Sequence, residues 1–256
     1  MSKIISIANQ KGGVGKTTTA INLSATLAIA EKRTLLIDAD AQGNASTGLG
    51  IDKGAIERGN LYHSLIGEKL LREVVTSTQL PFLDLAPSDQ NLIGVEIEFV
   101  GMEGREKRLR SLVRDIESEY DYIIIDCPPS LGFLTVNALA ASDVLIVPLQ
   151  CEYFAMEGLG HLMNTLKRIR SGINPALELG GILLTMFDGR NLLSHRVSED
   201  VRKYFGKKVF DTVIPRNVRL SESPSHGLPI VLYDIKSRGA VAYMELAQEI
   251  LRNGRI

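Results

Sequence analysis

Tryptophan is absent from this sequence, and cysteine and the other aromatic residues are scarce. Among its 256 residues there are two cysteines, and the aromatic residues together make up 5%. Cys127 and Cys151 are too few for a disulfide scaffold or a four-cysteine metal site, which favours the reducing cytosol. An excess of positive charge is also missing. The formal net charge of −1 excludes a uniformly basic nucleic-acid binder, although not a local basic patch.

Long hydrophobic runs are missing as well. The longest uncharged stretch, from Cys127 to Ser142, contains two prolines and several polar residues. A transmembrane helix needs roughly 20 mostly apolar residues, so none is predicted. The first residues become polar too early for a signal peptide. We therefore expect a cytoplasmic protein that does not enter the membrane.

What the sequence does contain is an alternation of short β-branched runs with amphipathic segments. Hydrophobic residues make up 45% and charged residues 23%, as in folded globular proteins. The runs IISIA, TLLID, YIIID and VLIVP are apolar throughout, which is typical of parallel strands buried on both faces. The pattern predicts the α/β class: a single domain over residues 1–256, with a mostly parallel twisted sheet and helices on both faces.

The predicted elements follow this alternation along the chain. Strands are predicted at Lys3–Ala8, Arg33–Asp38, Phe82–Ala86, Tyr122–Asp126, Val144–Pro148, Gly181–Met186 and Val209–Ile214. Helices are predicted at Lys16–Ala30, Glu103–Glu119, Leu134–Ala141, Gly158–Ser171, His195–Phe205 and Ser237–Asn253.

A glycine-rich segment follows the first predicted strand and opens the first predicted helix. It reads QKGGVGKTT from Gln10 to Thr18, so glutamine stands where the general phosphate-loop pattern has its first glycine. Glycines allow a tight turn whose N–H groups face phosphate oxygens, and the helix adds its positive end. Lys16 is expected to reach the β- and γ-phosphates, and the Thr17 hydroxyl to ligate Mg²⁺. The predicted nucleotide-binding residues of this loop are Lys11, Gly12, Gly13, Val14, Gly15, Lys16, Thr17 and Thr18.

Three aspartates lie at or just after the ends of two predicted strands. Asp38 and Asp40 are two residues apart, so both are expected on the same side, at the carboxyl edge where open α/β sheets bind ligands. Asp126 ends the apolar run YIIID, a Walker B pattern, and is expected to hold a Mg²⁺-bound water. Carboxylates beside a triphosphate and Mg²⁺ suit coordination of metal-bound water and orientation of the attacking water.

The segment KGGVGKTT resembles the deviant Walker A motif of the ParA/MinD ATPases, a class of P-loop NTPases. In that family the early lysine crosses a nucleotide-sandwich dimer to the partner's phosphates, which implies this role for Lys11 and an ATP-dependent homodimer. The resemblance also implies that Lys11, Lys16 and Asp40 are catalytic, with Asp40 positioning the water and Asp38 supporting the Mg²⁺ shell. Ala41 stands where the family pattern D-x-D-P-Q-G-N has proline, which loosens that turn.

The resemblance to chromosomal ParA/Soj proteins extends across nearly the full chain, through DCPPSLG, QCEYFAMEG, LLTMFD and IPRNVRLSESPSHG. It implies that Pro215 packs on the adenine ring and that Asn217 hydrogen-bonds to it. It implies ATP and Mg²⁺ as cofactors, nonspecific double-stranded DNA and a ParB-type centromere-binding protein as partners, and a nucleoid-associated location. The implied function is segregation of chromosomal or plasmid DNA.

The C-terminal third carries a modest positive charge. Residues 180–256 contain 12 Lys and Arg against 8 Asp and Glu, a net +4, whereas the preceding residues carry −5. Within this third the resemblance singles out Arg190 and Arg219 as DNA contacts. The alternative is an ordinary solvated surface, because Glu199 and Asp200 interrupt the basic residues.

Two other functions share these motifs. A membrane-cycling ATPase of the MinD type has the same loop and carboxylates, but ends in a basic amphipathic helix. Here the last predicted helix mixes its apolar residues with Glu245, Gln248 and Glu249, which favours a core-packing helix. A non-catalytic, nucleotide-gated interaction module is the other alternative, and single-turnover hydrolysis distinguishes it from an enzyme.

Overall fold

One eight-stranded sheet forms the centre of the computed structural model, which describes residues 2–253. The strands are β1 (Lys3–Ile7), β2 (Thr34–Asp38), β3 (Thr76–Ser77), β4 (Leu83–Ala86), β5 (Tyr122–Asp126), β6 (Val144–Gln150), β7 (Glu178–Phe187) and β8 (Val209–Pro215). Their order across the sheet is β3-β4-β2-β5-β1-β6-β7-β8. Only the short β3 runs antiparallel to its neighbour among these strands, so the predicted mostly parallel sheet is confirmed.

Helices connect the strands and lie on both faces of the sheet. They are α1 (Lys16–Ile29), α2 (Asn44–Gly48), α3 (Lys53–Arg58), α4 (Leu61–Ile66), α5 (Leu71–Val74), α6 (Leu92–Glu98), α7 (Arg108–Arg114), α8 (Phe133–Ala141), α9 (Ala155–Gly172), α10 (Leu192–Phe205), α11 (Val218–Glu222), α12 (Ile230–Tyr233) and α13 (Arg238–Asn253). Short 3₁₀ turns cover Arg105–Lys107, Glu117–Glu119, Gly206–Lys208 and Ser223–His226.

Two hydrophobic cores account for the continuously apolar strands. Ile123 and Ile125 of β5 lie in the core beneath α4 to α10, whereas Ile124 lies in the opposite core, with α1 and α13. Successive strand residues point to opposite faces, so a strand covered on both sides needs an apolar residue at every position. Burying each such side chain contributes about 1.5–3 kcal/mol.

The predicted single helix over Glu103–Glu119 is wrong. The structure has a 3₁₀ turn, the seven-residue α7 and a second 3₁₀ turn there instead. Gly104 adopts φ 72°, a left-handed conformation that ends any helix starting at Glu103. Helices of four to seven residues, such as α2 and α6, were not predicted because they are too short to show a full helical period.

Strand β6 continues two residues past its predicted end at Pro148. Proline has no N–H to donate to a neighbouring strand, so it is rare in interior strands. It is tolerated here because β1 pairs with β6 only at Val144–Ile146 and ends before the level of Pro148. The side chain of Asn9, just beyond β1, instead donates to the Pro148 carbonyl at 2.7 Å. The loop that follows β1 is thereby tied to the neighbouring strand.

The long helix α13 buries its apolar side in the protein. Ala242, Leu246 and Ile250 are at most 5% exposed and belong to the core that contains α1. The prediction of a core-packing helix at this position is therefore confirmed. None of the helices between residues 2 and 253 has both the length and the apolar composition needed to span a membrane.

Candidate functional site

The loops after β1, β2 and β5 meet at one edge of the sheet. These three strands are neighbours, and Asp38 pairs with Asp126 in the register of β2 and β5. On the other side of β5, Ile7 pairs with Asp126, so the glycine-rich loop begins beside both carboxylates. The parallel topology thus brings together residues that are far apart in the sequence.

The glycine-rich loop has the backbone geometry of an anion site. Gly13 and Gly15 adopt φ 73° and 87°, which side chains other than glycine rarely tolerate. Gly15 is the N-cap of α1 and provides no side-chain cap, so the first N–H groups of that helix can face a ligand. The loop is fixed from behind because the Thr185 hydroxyl donates to the Val14 carbonyl at 2.8 Å.

Both lysines of the loop are engaged within the chain. The Lys16 ammonium donates to the Lys11 carbonyl at 3.0 Å. Burial lowers the pKa of Lys16, although nearby Asp126 and Asp40 oppose this effect. The Lys11 side chain, about half exposed, forms an ion pair with Glu152. Sequence reasoning missed Glu152, because no spacing rule connects it to the loop.

Asp38 and Asp40 have different surroundings. One oxygen of Asp38 accepts from the amide and the hydroxyl of Ser46, both at 2.8 Å, and the other accepts from the Asp40 amide at 3.3 Å. Asp40 is 7% exposed, accepts from the Gln42 amide at 3.0 Å and lines the cavity above the loop. Asp38 therefore holds the turn after β2, while Asp40 faces the space where a ligand would lie.

Asp126 is a buried carboxylate without a hydrogen-bond partner. By distance and angle, neither of its oxygens accepts a hydrogen bond within residues 2–253, although the Thr17 hydroxyl lies near them. Burial raises the pKa of Asp126 well above its ordinary value, and Asp38 raises it further, while Thr17 and Lys16 oppose this only in part. Buried charges are normally paired or bound to metal. Oxygens of this kind suit a hard cation such as Mg²⁺ or one of its water ligands.

We expect Asp126→Asn to raise the melting temperature of the ligand-free protein by about 2–4 °C, which corresponds to about 1 kcal/mol. Because the pKa of Asp126 is raised by folding, the ionised carboxylate opposes folding. This cost is absent below the unfolded-state pKa and grows as the pH rises. The gain measured by calorimetry should therefore be larger at about pH 8 than at about pH 4.

Asp38→Asn is the matched control. Burial raises the pKa of Asp38 as well, to about 6, but its oxygens accept from Ser46 and Asp40. An amide group at this position would turn its own donors towards these donors, and this loss should outweigh the relief of charge and lower the melting temperature. A loss of stability in Asp126→Asn at every pH would contradict the assignment of an uncompensated charge.

Two adjoining cavities form a cleft above this edge of the sheet. The first, about 280 Å³, is lined by the glycine-rich loop together with Asp40, Asn44 and Pro129. The second, about 420 Å³, extends towards Pro215 and Asn217. Gly15, Thr18 and Met186 line both. The cleft thus offers N–H groups and a lysine at one end and a mixed apolar surface at the other, as a nucleotide requires.

Both residues that the family resemblance assigned to adenine line the second cavity. Pro215 ends β8 and lies in its wall. Asn217 also lines the cavity, while its side-chain oxygen accepts from the Leu220 amide at 3.3 Å as the cap of α11. Met186, which sequence reasoning missed, adopts φ 50° where the two cavities meet. Such strain in a non-glycine residue is common at ligand sites.

The two arginines assigned to DNA lie at the surface, and each is paired with a carboxylate. Arg190 is 92% exposed and contacts Asp188 at 3.1 Å through two side-chain nitrogens. This contact holds the pKa of Asp188 at about 2. Arg219, in α11 beside the second cavity, donates to Glu222 at 2.9 Å. The assignment of both arginines to DNA stays a prediction.

Comparisons with known proteins agree with this geometry. The family model described as an AAA domain matches residues 2–179. Chromosome partitioning protein ParA of Myxococcus xanthus is 54% identical over 252 residues, which cover 98% of this chain and 89% of the relative. Sporulation initiation inhibitor protein Soj of Bacillus subtilis is 53% identical over 254 residues, which cover 99% of this chain and 100% of the relative. Among solved structures, cobyrinic acid a,c-diamide synthase of Mycobacterium smegmatis with bound ADP and magnesium has a TM-score of 0.87 at 35% identity, covering 100% of this chain and 96% of that chain.

Proposed function

Because the chain belongs to the ParA/Soj family of chromosome-partitioning proteins, we propose that it hydrolyses ATP in order to drive the segregation of DNA. One observation supports the enzyme most strongly. The glycine-rich loop, with its uncapped helix N-terminus, lines one cavity together with Asp40. The buried Asp126 lies close enough to Thr17 and Lys16 of that loop for both to lower its pKa. Phosphate binding, water positioning and cation binding are thereby available within one cleft.

The loop and α1 would bind the phosphates. Amide groups after Gly13 and Gly15 and the positive end of α1 attract the phosphate oxygens. Lys16 would exchange the Lys11 carbonyl for the β- and γ-phosphates, a favourable exchange because phosphate carries full negative charge. The adenine would occupy the second cavity beside Pro215 and Asn217.

In this proposal Thr17, Asp38 and Asp126 would hold Mg²⁺ or its waters. The cation, when bound, neutralises the charge that develops on the phosphate oxygens. Of the three, Asp126 has free oxygens, whereas both oxygens of Asp38 already accept hydrogen bonds from the chain. We therefore assign Asp126 the main part, with Asp38 fixing the turn beside it.

Asp40 would orient and activate the attacking water, since it is the carboxylate that lines the phosphate cavity. Lys11 would leave Glu152 and reach the phosphates of a second subunit, so ATP would close two subunits face to face. Hydrolysis would then release them. A ParB-type protein is the partner that we propose for this cycle.

In the dimer, Arg190 and Arg219 of both subunits would contact the phosphates of nonspecific DNA. A single subunit offers few such charges, so joining two surfaces raises the affinity through avidity. We expect Arg190→Glu and Arg219→Glu each to weaken ATP-dependent binding to random duplex DNA by roughly 10-fold or more and to lower its salt dependence. Fluorescence anisotropy over a salt series measures both, and light scattering with and without ATP measures the dimer.

Arg33→Glu is the matched control for Arg219→Glu. The Arg33 side chain is 56% exposed and lies beside Asp121, much as the 54% exposed Arg219 lies beside Glu222, but it precedes β2 at the opposite edge of the sheet. It should bind DNA as the wild type does. Wild-type binding by both Arg190→Glu and Arg219→Glu at low salt would show that the DNA surface lies elsewhere.

The membrane-cycling alternative would need an apolar helix face available to lipid. The apolar side of α13 is instead packed in the core that contains α1. Within residues 2–253, this helix therefore gives the MinD-type alternative no support.

A further inference from the structure

Both arginines assigned to DNA are paired with carboxylates of their own chain. The guanidinium of Arg190 donates to the two oxygens of Asp188, each at 3.1 Å, and the Arg190 amide donates to the same carboxylate at 3.0 Å. Arg219 donates to Glu222 at 2.9 Å and also lies 3.6 Å from Asp234. A DNA phosphate that approaches either guanidinium therefore meets a carboxylate that competes for the same N–H groups.

Asp188 and Glu222, here named the masking carboxylates, are ionised at neutral pH. Hydrogen bonds from Arg190 hold the pKa of Asp188 at about 2, and the hydrogen bond from Arg219 lowers the pKa of Glu222. Each carboxylate therefore places a full negative charge beside an arginine that is proposed to meet DNA. Both ion pairs are open to solvent, and such pairs are weak enough to exchange partners readily.

The masking carboxylates follow residues that line the second cavity of the cleft. Met186 lines this cavity near the end of β7, two residues before Asp188. Ser221 lines it in α11, directly before Glu222. A ligand that fills the second cavity would therefore contact both segments that carry a masking carboxylate.

Arg216 joins these two segments at the cavity wall. Its amide donates to the Phe187 carbonyl at 3.0 Å, and the residue lines the second cavity. Its charge also acts on Asp188, whose pKa is lowered chiefly by Arg190 and further by Arg216. Met186 adopts the strained φ of 50° in the same wall. A group bound in the cavity would thus act on Asp188 through the backbone of β7 and through Arg216.

We propose that Asp188 and Glu222 mask the two arginines in the nucleotide-free subunit, and that a nucleotide in the second cavity releases them. This inference rests on the proposed function, because it requires that the two arginines contact DNA. It adds a control that avidity does not supply, since each subunit by itself binds DNA more tightly with nucleotide than without it. By linkage, DNA raises the affinity of the subunit for nucleotide by the same factor.

Asp188→Asn tests the first mask, because its amide oxygen can still accept from the Arg190 amide and keep the turn while the charge is lost. Without nucleotide, this variant should bind random duplex DNA about 3-fold more tightly than the wild type at low salt, and Asp188→Asn/Glu222→Gln about 10-fold more tightly. Fluorescence anisotropy over a salt series measures the affinities. With a non-hydrolysable ATP analogue the gain should be much smaller, since the masks are then already released.

Asp121→Asn is the matched control. Asp121 accepts from the Arg33 amide at 2.8 Å and lies 3.8 Å from the Arg33 side chain, so the change breaks a pair of the same kind at the opposite edge of the sheet. It should leave DNA binding unchanged. A double-mutant cycle separates masking from net charge: in the background of Arg190→Ala, Asp188→Asn should give no gain, because the arginine to be released is gone.

Lys11→Ala isolates the single subunit, since ATP-driven dimerisation should be lost in this variant. Its affinity for DNA should still rise when the ATP analogue is added, and the additional change Asp188→Asn should abolish most of that rise. No rise in Lys11→Ala would overturn the release of the masks by nucleotide, because the whole effect of ATP would then come from avidity.

Wild-type affinity in nucleotide-free Asp188→Asn would overturn the inference. So would an equal gain with and without the analogue, or a gain that persists in the absence of Arg190. Light scattering should show the same size for nucleotide-free Asp188→Asn and the wild type, and a larger size would assign the gain to dimerisation instead of unmasking. Wild-type DNA binding by both Arg190→Glu and Arg219→Glu would instead remove the DNA surface of the proposed function, and the masks with it.

Discussion

Replacing Lys16 with alanine should weaken ATP binding by about 10- to 100-fold, because a hydrogen bond to a charged group contributes about 1.5–3 kcal/mol. Lys16 is 6% exposed at the start of α1, and its ammonium lies close enough to Asp126 and Asp40 to be influenced by both charges. Calorimetric titration with ATP and Mg²⁺ measures the loss. The variant should still fold, since burial lowers the pKa of Lys16 and the charged form therefore opposes folding.

Lys11→Ala is the control for this experiment. It removes the same charge from the same loop, but the Lys11 side chain points to Glu152 and is about half exposed. It should retain the ATP affinity of the single subunit and lose ATP-driven dimerisation and turnover. Unchanged ATP affinity in Lys16→Ala would contradict the assignment of Lys16. An unchanged ATP dimer with normal turnover in Lys11→Ala would make Lys11 an ordinary loop lysine.

Asp40→Ala should slow hydrolysis by about 10²- to 10⁴-fold, the usual contribution of a positioned acid–base group. ATP binding should survive, because Lys16 and the N–H groups of the loop are untouched, so the ATP-bound dimer should accumulate. Single-turnover hydrolysis measures the chemical step, and light scattering measures the trapped dimer. Comparing single-turnover hydrolysis by the wild type and by Asp40→Ala also decides between an enzyme and a nucleotide-gated interaction module.

Asp115→Ala, a change of the same type at the exposed end of α7, should hydrolyse ATP at the wild-type rate. Asp40 also accepts from the Gln42 amide, so the melting temperature of Asp40→Ala must be compared with that of the wild type. Wild-type hydrolysis by Asp40→Ala would assign water positioning to another residue.

The sheet and the phosphate loop were predictable because their signals are local. Ile123 to Ile125 are apolar at every position, and this pattern alone indicated burial on both faces. Left-handed turns at Gly13 and Gly15 follow from the glycines themselves. In such segments neighbouring residues determine the conformation, so a sequence pattern is sufficient.

Other features of the site were not predictable, because they depend on contacts between distant segments. Ser46 lies eight residues after Asp38 and binds it only because α2 turns back onto the end of β2. Glu152 reaches Lys11 because β6 lies beside β1 in the sheet. Helix α6 was missed for another reason: it has seven residues, fewer than a hydrophobic period needs to become visible.

The unpartnered carboxylate of Asp126 links the lifetime of the folded chain to the supply of nucleotide. A ligand that binds only the folded state stabilises it by about 2.7 kcal/mol at 100 times its dissociation constant. Cation and nucleotide together would also compensate the buried charge that the chain alone leaves without a hydrogen bond. A cell depleted of nucleotide would therefore hold this protein in its least stable form, in which transient unfolding exposes it to proteases most often.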